Sequence, residues 1–371
     1  MHAPRRNSPR AGLWAMPTAL ALLLATGCGS GDGDPAPPSP SQSTGPSPTA
    51  PGERTMRQLA EERGKYMGVA VDADALGEES PYPRLAGEQF GMLTAENAMK
   101  WPQTERSPGS TSYEDADRVV DFAKRHRQRL RGHALTWNTH EPQWLSAQKF
   151  SDERIGELLR EHVQDEAGRY KGAIYAWDVV NEPLTGKGTL KPGTLLDALG
   201  PDYIADSLRW AHQADPDARL YLNEFGAEGI GPKSDGLYRL AKSLKEKGVP
   251  LHGIGFESHF ELGKVPKDMR QNMERFTALG LEVAVTELDV RMRTPATDDA
   301  LERQAEDYAS VIRTCLNVEK CVGVSFWNLH DGASHVPKKR PGWGAAHAYD
   351  AQYRPKPARE AVAEALTEEG G

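Results

Sequence analysis

The chain has 371 residues, which suits one large domain or two small ones, and its 38% of hydrophobic residues is ordinary for a soluble globular protein. Its formal net charge is −8 at pH 7, and its isoelectric point is near 5.8. An acidic chain without a basic stripe or a long block of like charges argues against nucleic acid and anionic membrane surfaces as partners.

The first 28 residues have the pattern of an export signal. Arg5, Arg6 and Arg10 form a positively charged segment, and the mostly apolar run at residues 14–25 is short for a membrane span. Cys28 comes directly after small residues in "LLATGCGSG", which resembles a bacterial lipobox, so we predict that Cys28 is lipidated. Cleavage by signal peptidase near this point, with loss of Cys28, is the alternative. Both interpretations predict an exported bacterial protein, either extracellular or lipid-anchored at the cell surface.

Residues 29–55 are rich in Gly, Pro, Ser and Thr. They lack the apolar side chains that would offset the entropy of ordering, so they are predicted to be a linker before a folded domain at residues 56–371. Cys315 and Cys321 are close in sequence, and in an exported protein we expect them to form a local disulfide across a short helix-to-strand loop. With no His beside them, they do not indicate a metal site.

Short apolar runs alternate with amphipathic segments through the rest of the chain. The runs are "YMGVAV", "FGMLTAE", "RLRGHALTW", "AIYAWDVV", "RLYLNEF", "HGIGFES", "LEVAVTE" and "CVGVSFW". Helical segments are predicted between them at residues 114–129, 152–169, 196–214, 234–247, 267–279 and 300–316. This alternation indicates βαβ units, and eight strands over roughly 310 residues match a single α/β domain of the (β/α)8 TIM-barrel type. A doubly wound sheet is the alternative, but no Gly-rich phosphate-binding turn follows the first strand.

Polar residues follow seven consecutive predicted strands, from the second to the eighth. Strand four is followed by Asn181 and Glu182, and strand seven supplies Glu287 and Asp289. In a barrel the C-terminal ends of the strands meet at one rim, which is where active sites lie in this fold. A single Glu at a strand end is usually a solvated loop residue, but seven such strands in a row indicate an active site.

Two carboxyl groups facing each other across a barrel mouth suit glycoside hydrolysis. The glycosidic oxygen is a poor leaving group and needs a proton, while the oxocarbenium-like transition state needs an anion or a nucleophile. The carboxyl groups of Glu182 and Glu287 supply both requirements. A separation of about 5 Å gives a covalent, retaining mechanism, and a wider one admits a water molecule and inverts the configuration.

Seven motifs occur in order along the chain: "FGMLTAENAMKW", "RGHALTW", "WDVVNEP", "ADPDARLYLNEF", "GIGFESH", "VAVTELDVR" and "YRPKPA". Together they resemble glycoside hydrolase family 10, the family of retaining endo-β-1,4-xylanases, over about residues 56–366. The resemblance implies a retaining hydrolase that cleaves β-glycosidic bonds in plant polysaccharide. We further expect a monomer that needs no cofactor and no metal, and whose partner is a β-linked oligosaccharide, polysaccharide or glycoside.

The resemblance also implies a role for each matching residue. Glu182 corresponds to the acid/base and Glu287 to the nucleophile. Asn181 would hydrogen-bond the 2-hydroxyl of the substrate, while His259 and Asp289 would orient and charge the nucleophile. The remaining residues would bind the glycone sugar, with the two Trp as apolar walls: Asn97, Lys100, His133, Trp137 and Trp327. Two structural alternatives are packing of Trp327 at the barrel end and an ion pair between Asp289 and Arg291.

Several positions depart from the family pattern. Where the family has "WHSQ" after strand three, this chain has "WNTH", so Asn138 replaces a His and His140 replaces a Gln. In strand six Glu257 replaces the Gln of "GFQSH". After strand eight, "DGASH" places His335 where the family has a Trp that closes over the glycone, and Trp343 is a candidate to replace it in part. We keep His140 and His335 as candidates for substrate binding.

These departures leave two substrate hypotheses. The resemblance implies that the altered Gln and Trp positions crowd the place where a hexose carries its hydroxymethyl group. A smaller His there favours a hexose-containing glycoside, as in tomatinase-like members of the family. An endo-1,4-β-xylanase with tolerated changes is the other hypothesis and the one we adopt. A non-catalytic carbohydrate-binding surface lipoprotein is an alternative from another class, and a transglycosylase would use the same glycosyl-enzyme.

Glu257 carries a prediction of its own. A further carboxyl group beside Glu287 would be repelled by it, which raises the pKa of one of the two. Unless a cation such as Lys100 or a protonated His compensates, we expect Glu257 to be protonated near neutral pH and to donate a hydrogen bond as the Gln would.

Overall fold

The computed structural model describes residues 54–368, so residues 1–53 and 369–371 lie outside the described part of the chain. The predicted export signal, the lipidation of Cys28 and nearly all of the predicted linker at residues 29–55 fall in the first of these segments and stay predictions. Thr55 caps the helix Met56–Glu62 through a reciprocal pair of hydrogen bonds with Gln58.

The centre of the fold is a closed barrel of eight parallel strands. Each strand pairs with the next, and β8 pairs with both β7 and β1, which closes the ring. The predicted (β/α)8 barrel is therefore confirmed, and the doubly wound alternative is wrong. All eight apolar runs are strands, β1 to β8 in chain order: Tyr66–Val71, Met92–Ala95, Arg129–Trp137, Ala176–Asn181, Arg219–Glu224, Gly253–Phe256, Glu282–Arg293 and Cys321–Phe326.

One principal helix follows each strand. These helices, α1 to α8, are Pro81–Gln89, Glu114–His126, Asp152–Arg169, Asp202–Ala214, Pro232–Glu246, Met269–Thr277, Asp298–Leu316 and Pro357–Thr367. Shorter helices in the connections are Trp101–Thr104, Gln143–Ala147, Thr194–Leu199 and Val336–Lys339, with single 3-10 turns at Ala75–Gly77, Asn138–His140 and Asp331–Ala333. Small strands outside the barrel are Glu105–Ser107, Ser110–Thr111, His259–Glu261 and Trp343–Gly344.

The helix predicted at residues 196–214 is wrong as a single element. It is divided into Thr194–Leu199 and α4 because Gly200 has a φ of 65° and a ψ of −172°, a conformation that favours glycine and ends the first helix. Pro201, which follows, has no amide hydrogen to continue the helix. The sequence analysis also did not predict α1 and α8, each of which has proline in its first turn.

The barrel interior is filled by large side chains that pack against glycines. Trp177 on β4 is fully buried, and a Cβ at Gly132 on β3 would lie 2.2 Å from its ring, so only glycine fits there. Beside them Arg131 and Asp178 form an ion pair with both side chains almost completely buried. The guanidinium of Arg131 also lies 4.5 Å from the ring centre of Tyr221. The ion pair also supports the rim of the barrel, because Asp178 contacts His133 there.

Strand β7 extends beyond the barrel and arranges two of the predicted site residues. Its outer part pairs in parallel with His259–Glu261, which sets Asp289 directly beside His259. The juxtaposition of these two side chains therefore follows from strand register.

The disulfide expected from the sequence is present between Cys315 and Cys321, where it joins the end of α7 to the start of β8. None of the helices within the described residues has the length and apolar character that a membrane span requires.

Candidate active site

Glu182 lies directly after β4, where the backbone turns away from the barrel. Its φ of 50° is a left-handed conformation that is uncommon for a residue with a side chain. The turn is held by a hydrogen bond from the Glu182 amide to the carbonyl of Asn223 on β5, at 2.8 Å. The carboxylate accepts a 2.9 Å hydrogen bond from Lys191 Nζ, which belongs to the same connection. Strained backbone at this point is typical of a functional residue.

Glu287 lies on β7, and both of its carboxylate oxygens are held by neighbours. Oε1 accepts a hydrogen bond from Asn223 Nδ2 at 2.8 Å, and Oε2 lies 3.1 Å from His259 Nε2. The other ring nitrogen of His259 lies 2.9 Å from Asp289 Oδ2. Arg291 instead donates to the backbone carbonyls of His259 and Phe260, so the alternative of an Asp289–Arg291 ion pair is not what the structure contains.

The charges of this chain favour an ionised Glu287. Burial favours the neutral acid, but the hydrogen bond from His259 and the charges of His133 and His259 outweigh burial, so the pKa of Glu287 lies below its usual range. Burial also opposes a charged His259, yet Asp289 and Glu287 together raise its pKa well above the usual value. A doubly protonated His259 therefore donates to a carboxylate on each side.

Asn223 connects the strand ends through both ends of its side chain. Its Nδ2 lies 2.8 Å from Asn181 Oδ1 and from Glu287 Oε1, and its Oδ1 accepts a 2.7 Å hydrogen bond from the hydroxyl of Thr286. The sequence analysis gave Asn223 no role, although it lies in the motif "ADPDARLYLNEF". Because it is fully buried and its amide is fixed by Thr286, it orients Asn181 and Glu287 together.

Glu257 is buried beside these groups at the end of β6. Its Oε1 lies 3.4 Å from Asn223 Nδ2, and its Oε2 lies 3.7 Å from His259 Nε2. Burial and the negative charges of Glu287 and Glu182 raise its pKa well above the usual value, whereas His259 lowers it. This is the direction that the sequence predicts.

The residues assigned to the glycone pocket lie around a buried lysine. Lys100 Nζ lies 5.0 Å from the ring centre of Trp137 and 5.9 Å from that of Trp327, and it donates to Asn97 Oδ1 at 2.8 Å. His133 packs edge-on against both indole rings. Its Nδ1 lies 3.0 Å from Asp178 Oδ2, which connects this pocket to the ion pair inside the barrel. Trp327 thus packs at the barrel end and lines the pocket at the same time.

Two of the positions that depart from the family pattern contact predicted site residues, on different sides of the rim. His140 stacks on Trp137 with ring centres 3.7 Å apart, and the ring of His335 packs edge-on against His259 at 5.7 Å. Burial lowers the pKa of His335 to about 4. Trp343 lies over the guanidinium of Arg293, in a groove that it lines with Glu261, so the expectation that it replaces the missing Trp is not supported.

Sequence reasoning missed Lys191 and the contact that places it. Asn138 donates from Nδ2 to the Lys191 carbonyl at 2.9 Å and accepts a hydrogen bond from the Tyr203 hydroxyl at 3.3 Å. One of the unusual residues therefore anchors the connection that brings a cation to Glu182. No sequence signal could have found it, because Lys191 lies in an irregular connection nine residues after Glu182.

A groove of about 610 Å³ reaches His259 and was also missed. Its lining includes residues that follow β5 and β6, among them His259 and Phe225, a residue that is 42% exposed. Lys233 Nζ lies 3.5 Å from the centre of the Phe225 ring and 2.7 Å from Glu224 Oε1. Burial raises the pKa of Glu224 to about 7. The motif "LNEF" contained the signal, since it ends in an aromatic residue directly after a strand-end carboxylate.

Known proteins resemble this chain over nearly all of its described part. The sequence profile of Glycosyl hydrolase family 10 matches residues 55–365. An endo-1,4-beta-xylanase of Agaricus bisporus is 40% identical over 310 residues, which cover 83% of this chain and 93% of the relative. The crystal structure of xylanase 10B from Thermotoga petrophila RKU-1 in complex with xylobiose superposes with a TM-score of 0.83 at 34% identity, covering 85% of this chain and 97% of that one. The crystal structure of native xylanase 10B from Thermotoga maritima superposes with a TM-score of 0.82 at 35% identity. The match covers 84% of this chain and 98% of that one. The chain belongs to glycosyl hydrolase family 10 and is a glycoside hydrolase.

Proposed function

We propose that this chain is a retaining endo-1,4-β-xylanase in which Glu287 is the nucleophile and Glu182 is the acid/base. The observation that carries the proposal is the hydrogen-bonded chain from Asp289 through His259 to Glu287, which holds one carboxylate ionised. Glu182 follows β4 on the same rim, and Asn223 on β5 hydrogen-bonds both residues. Its carbonyl accepts from the Glu182 amide, and its side-chain amide donates to Glu287. One ionised carboxylate and one separate carboxyl group are what retaining hydrolysis needs.

In the first step Glu287 Oε attacks the anomeric carbon while Glu182 gives its proton to the leaving glycosidic oxygen. The products are a covalent glycosyl-enzyme and a released sugar hydroxyl. In the second step Glu182, now ionised, removes a proton from water, and the oxygen of that water replaces Glu287 at the anomeric carbon. Configuration is retained because the anomeric carbon is inverted twice.

Asn181 supports the proposed chemistry. Its Oδ1 is occupied by Asn223, which fixes the amide so that Nδ2 is the free donor. Among the described residues Nδ2 has no hydrogen-bond partner, and we assign it to the 2-hydroxyl of the sugar. The glycone then lies against Trp137 and Trp327, with Lys100 and His133 between them.

The relatives support xylan as the substrate. The curated relatives are named endo-1,4-beta-xylanases, and the solved structure from Thermotoga petrophila holds xylobiose. They do not favour the hexose alternative. On the leaving-group side, the exposed ring of Phe225 in the 610 Å³ groove would provide an apolar platform for a sugar.

A parallel assay tests this proposal. The parent and the Glu287→Gln and Glu182→Gln variants are incubated with xylan, an aryl cellobioside and a galactose-linked saponin. We expect the parent to release reducing sugar mainly from xylan, and Glu287→Gln to lose hydrolysis while it still binds xylan in a sedimentation assay. Dominant turnover of the saponin would support the hexose alternative. Absence of turnover on all three substrates, with binding retained, would support a carbohydrate-binding protein.

Export and anchoring belong to the same proposal. We propose that the chain acts as a monomer outside the cell and is attached to the membrane only through a lipid on Cys28. The support is the order of a positive segment, a short apolar run and "ATGCGSG". Partition of the parent into detergent, with the Cys28→Ser variant left in the aqueous phase, is the expected result. Equal partition of both proteins would contradict lipidation.

A further inference from the structure

Three potential metal ligands converge on one point of the cleft. The ligand atoms of Glu257, His259 and Glu287 all lie within 4.8 Å of one another. His259 Nε2 is 3.1 Å from Glu287 Oε2 and 3.7 Å from Glu257 Oε2. Two of these residues are expected in the family, and the third is the Glu that replaces a Gln. The cluster is therefore a consequence of one unusual residue in this chain.

The spacing suits a tetrahedral ion. Zinc binds His nitrogen and carboxylate oxygen at about 2.0–2.2 Å, so neighbouring ligand atoms of a tetrahedral site lie about 3.3–3.6 Å apart. The two measured distances lie on either side of this range, so small rotations of the Glu257 and Glu287 side chains would complete the three ligand positions. The ion would take the place of the proton between His259 Nε2 and Glu287 Oε2.

The surroundings of the cluster also suit an ion. Asp289 Oδ2 lies 2.9 Å from His259 Nδ1, which leaves Nε2 as the ligand atom. A carboxylate behind a ligating His is the usual arrangement in zinc sites. Glu257 is only 2% exposed, and its Oε2 has no hydrogen-bond partner among the described residues, because His259 is 3.7 Å away. Oε2 of this buried side chain therefore faces His259 without a hydrogen bond and is free to take a metal ion as its partner.

We propose that Glu257, His259 and Glu287 form a binding site for a divalent first-row transition ion, with Zn²⁺ as the best-fitting case. The ion inhibits hydrolysis, a consequence that rests on the proposed function, because Glu287 cannot attack the sugar while it ligates a metal. The fourth coordination position holds water. Mg²⁺ and Ca²⁺ do not bind, since they require about six or more oxygen ligands.

Calorimetric titration of the full chain with Zn²⁺, without substrate and without an affinity tag, tests the site. We expect one ion per chain in the parent. Glu257→Gln should weaken binding at least about tenfold, because a neutral amide is a poor zinc ligand. Asp289→Asn should weaken it about 10–100-fold by removing the partner of the ligating His. Glu261→Gln is the matched control, since it changes a half-exposed carboxylate nearby and should leave the affinity unchanged.

The inhibition is measured separately with xylan. We expect Zn²⁺ to inhibit the parent with a constant that matches the calorimetric one, EDTA to restore activity, and Mg²⁺ to have no effect. Equal Zn²⁺ affinity in the parent and in a folded Glu257→Gln variant would overturn the site, as would absence of Zn²⁺ binding in a chain that hydrolyses xylan. One-site Zn²⁺ binding that depends on Glu257, in a chain that hydrolyses no glycan, would uphold the site and contradict only the proposed function.

Discussion

The protonation state of Glu287 depends on Asp289, on the same strand, and on residues from two other parts of the rim. Asn223 comes from β5, while His259 and Asp289 meet through the pairing of the outer β7 with the small strand His259–Glu261. The positive charge of His259 offsets the effect of burial on Glu287. Because this charge is itself maintained by Asp289, the proposed nucleophile is controlled by a residue that does not touch it.

The variant His259→Gln tests this arrangement. Loss of the imidazolium removes a cause that lowers the pKa of Glu287, so that pKa should rise. Since the proposed nucleophile must be ionised, the acid limb of the kcat/KM profile should move to higher pH, and kcat/KM at the optimum should fall about a hundredfold. The measurement is kcat/KM on an aryl xyloside across pH. An acid limb at the parent position would show that His259 does not charge Glu287.

Glu257 gives a prediction about stability. The pKa of Glu257 is raised in the native state. At a pH between the unfolded and the native pKa values, the carboxyl group is therefore ionised in the unfolded chain and still protonated in the native chain. Native stability is therefore reduced as pH rises through this window, by about 1.4 kcal/mol per pH unit. Glu257→Gln removes this effect, and we expect its Tm to exceed that of the parent by more at pH 7 than at pH 4. A difference that does not change with pH would contradict a protonated Glu257.

At the scale of elements, the strands were predictable and some helices were not. Buried parallel strands give continuous apolar runs such as "YMGVAV" and "VAVTE", which contrast with the polar helices around them. The helices α1 and α8 begin with proline, which fits the first turn of a helix but reads as a break in a periodic pattern. The division at Gly200 was missed because its flanks are equally apolar.

The strand ends identified most of the site, whereas the connections did not. Glu182, Glu287, His259 and Asp289 were found because each lies at or just beyond a barrel strand. Lys191 reaches Glu182 only through an irregular connection whose path depends on the contact with Asn138. Such a path is set by tertiary packing, so neither periodicity nor composition predicts it.

The disulfide between α7 and β8 should contribute a modest amount to stability. The loop it closes is short, with a sequence separation of 6, so the loss of unfolded-chain entropy is worth about 2 kcal/mol. The double variant Cys315→Ser/Cys321→Ser should have a Tm lower by a few degrees, measured by calorimetry. Reductant should lower the Tm of the parent in the same way and leave the double variant unchanged. If reductant lowered the Tm of both proteins equally, its effect would not come from the Cys315–Cys321 disulfide.

At the scale of the whole molecule, the barrel interior and the rim are one connected structure. Asp178 pairs with Arg131 inside the barrel and with His133 in the glycone pocket. Burial alone would raise the pKa of Asp178. The charge of Arg131 and the hydrogen bond from His133 lower this pKa by more than burial raises it, so the net shift is downward. The sequence predicted the barrel from its alternating pattern, but not a buried ion pair, because charged residues are seldom found in a core.

Asp178→Asn tests how much this pair stabilises the fold. The variant leaves the guanidinium of Arg131 buried and unpaired, so we expect a loss of about 3 kcal/mol in the free energy of unfolding by urea at pH 7. The loss should shrink as pH falls, because a carboxyl group with a lowered pKa contributes its full stability above its unfolded pKa and loses it as pH falls to its native pKa. Asp206→Asn, which breaks an exposed pair with Arg209, is the control and should cost under about 1 kcal/mol. Equal losses in both variants would contradict a structural role for the buried pair.

The central claim is that Glu287 forms a covalent bond to the sugar, and mass spectrometry of a trapped intermediate tests it most directly. The chain is incubated with a 2-deoxy-2-fluoro xylobioside that has an activated leaving group, which slows the second step more than the first. After proteolysis, we predict one added disaccharide on the peptide that contains Glu287, and none in Glu287→Gln. A disaccharide on any other residue, or product of inverted configuration from the parent, would contradict the account.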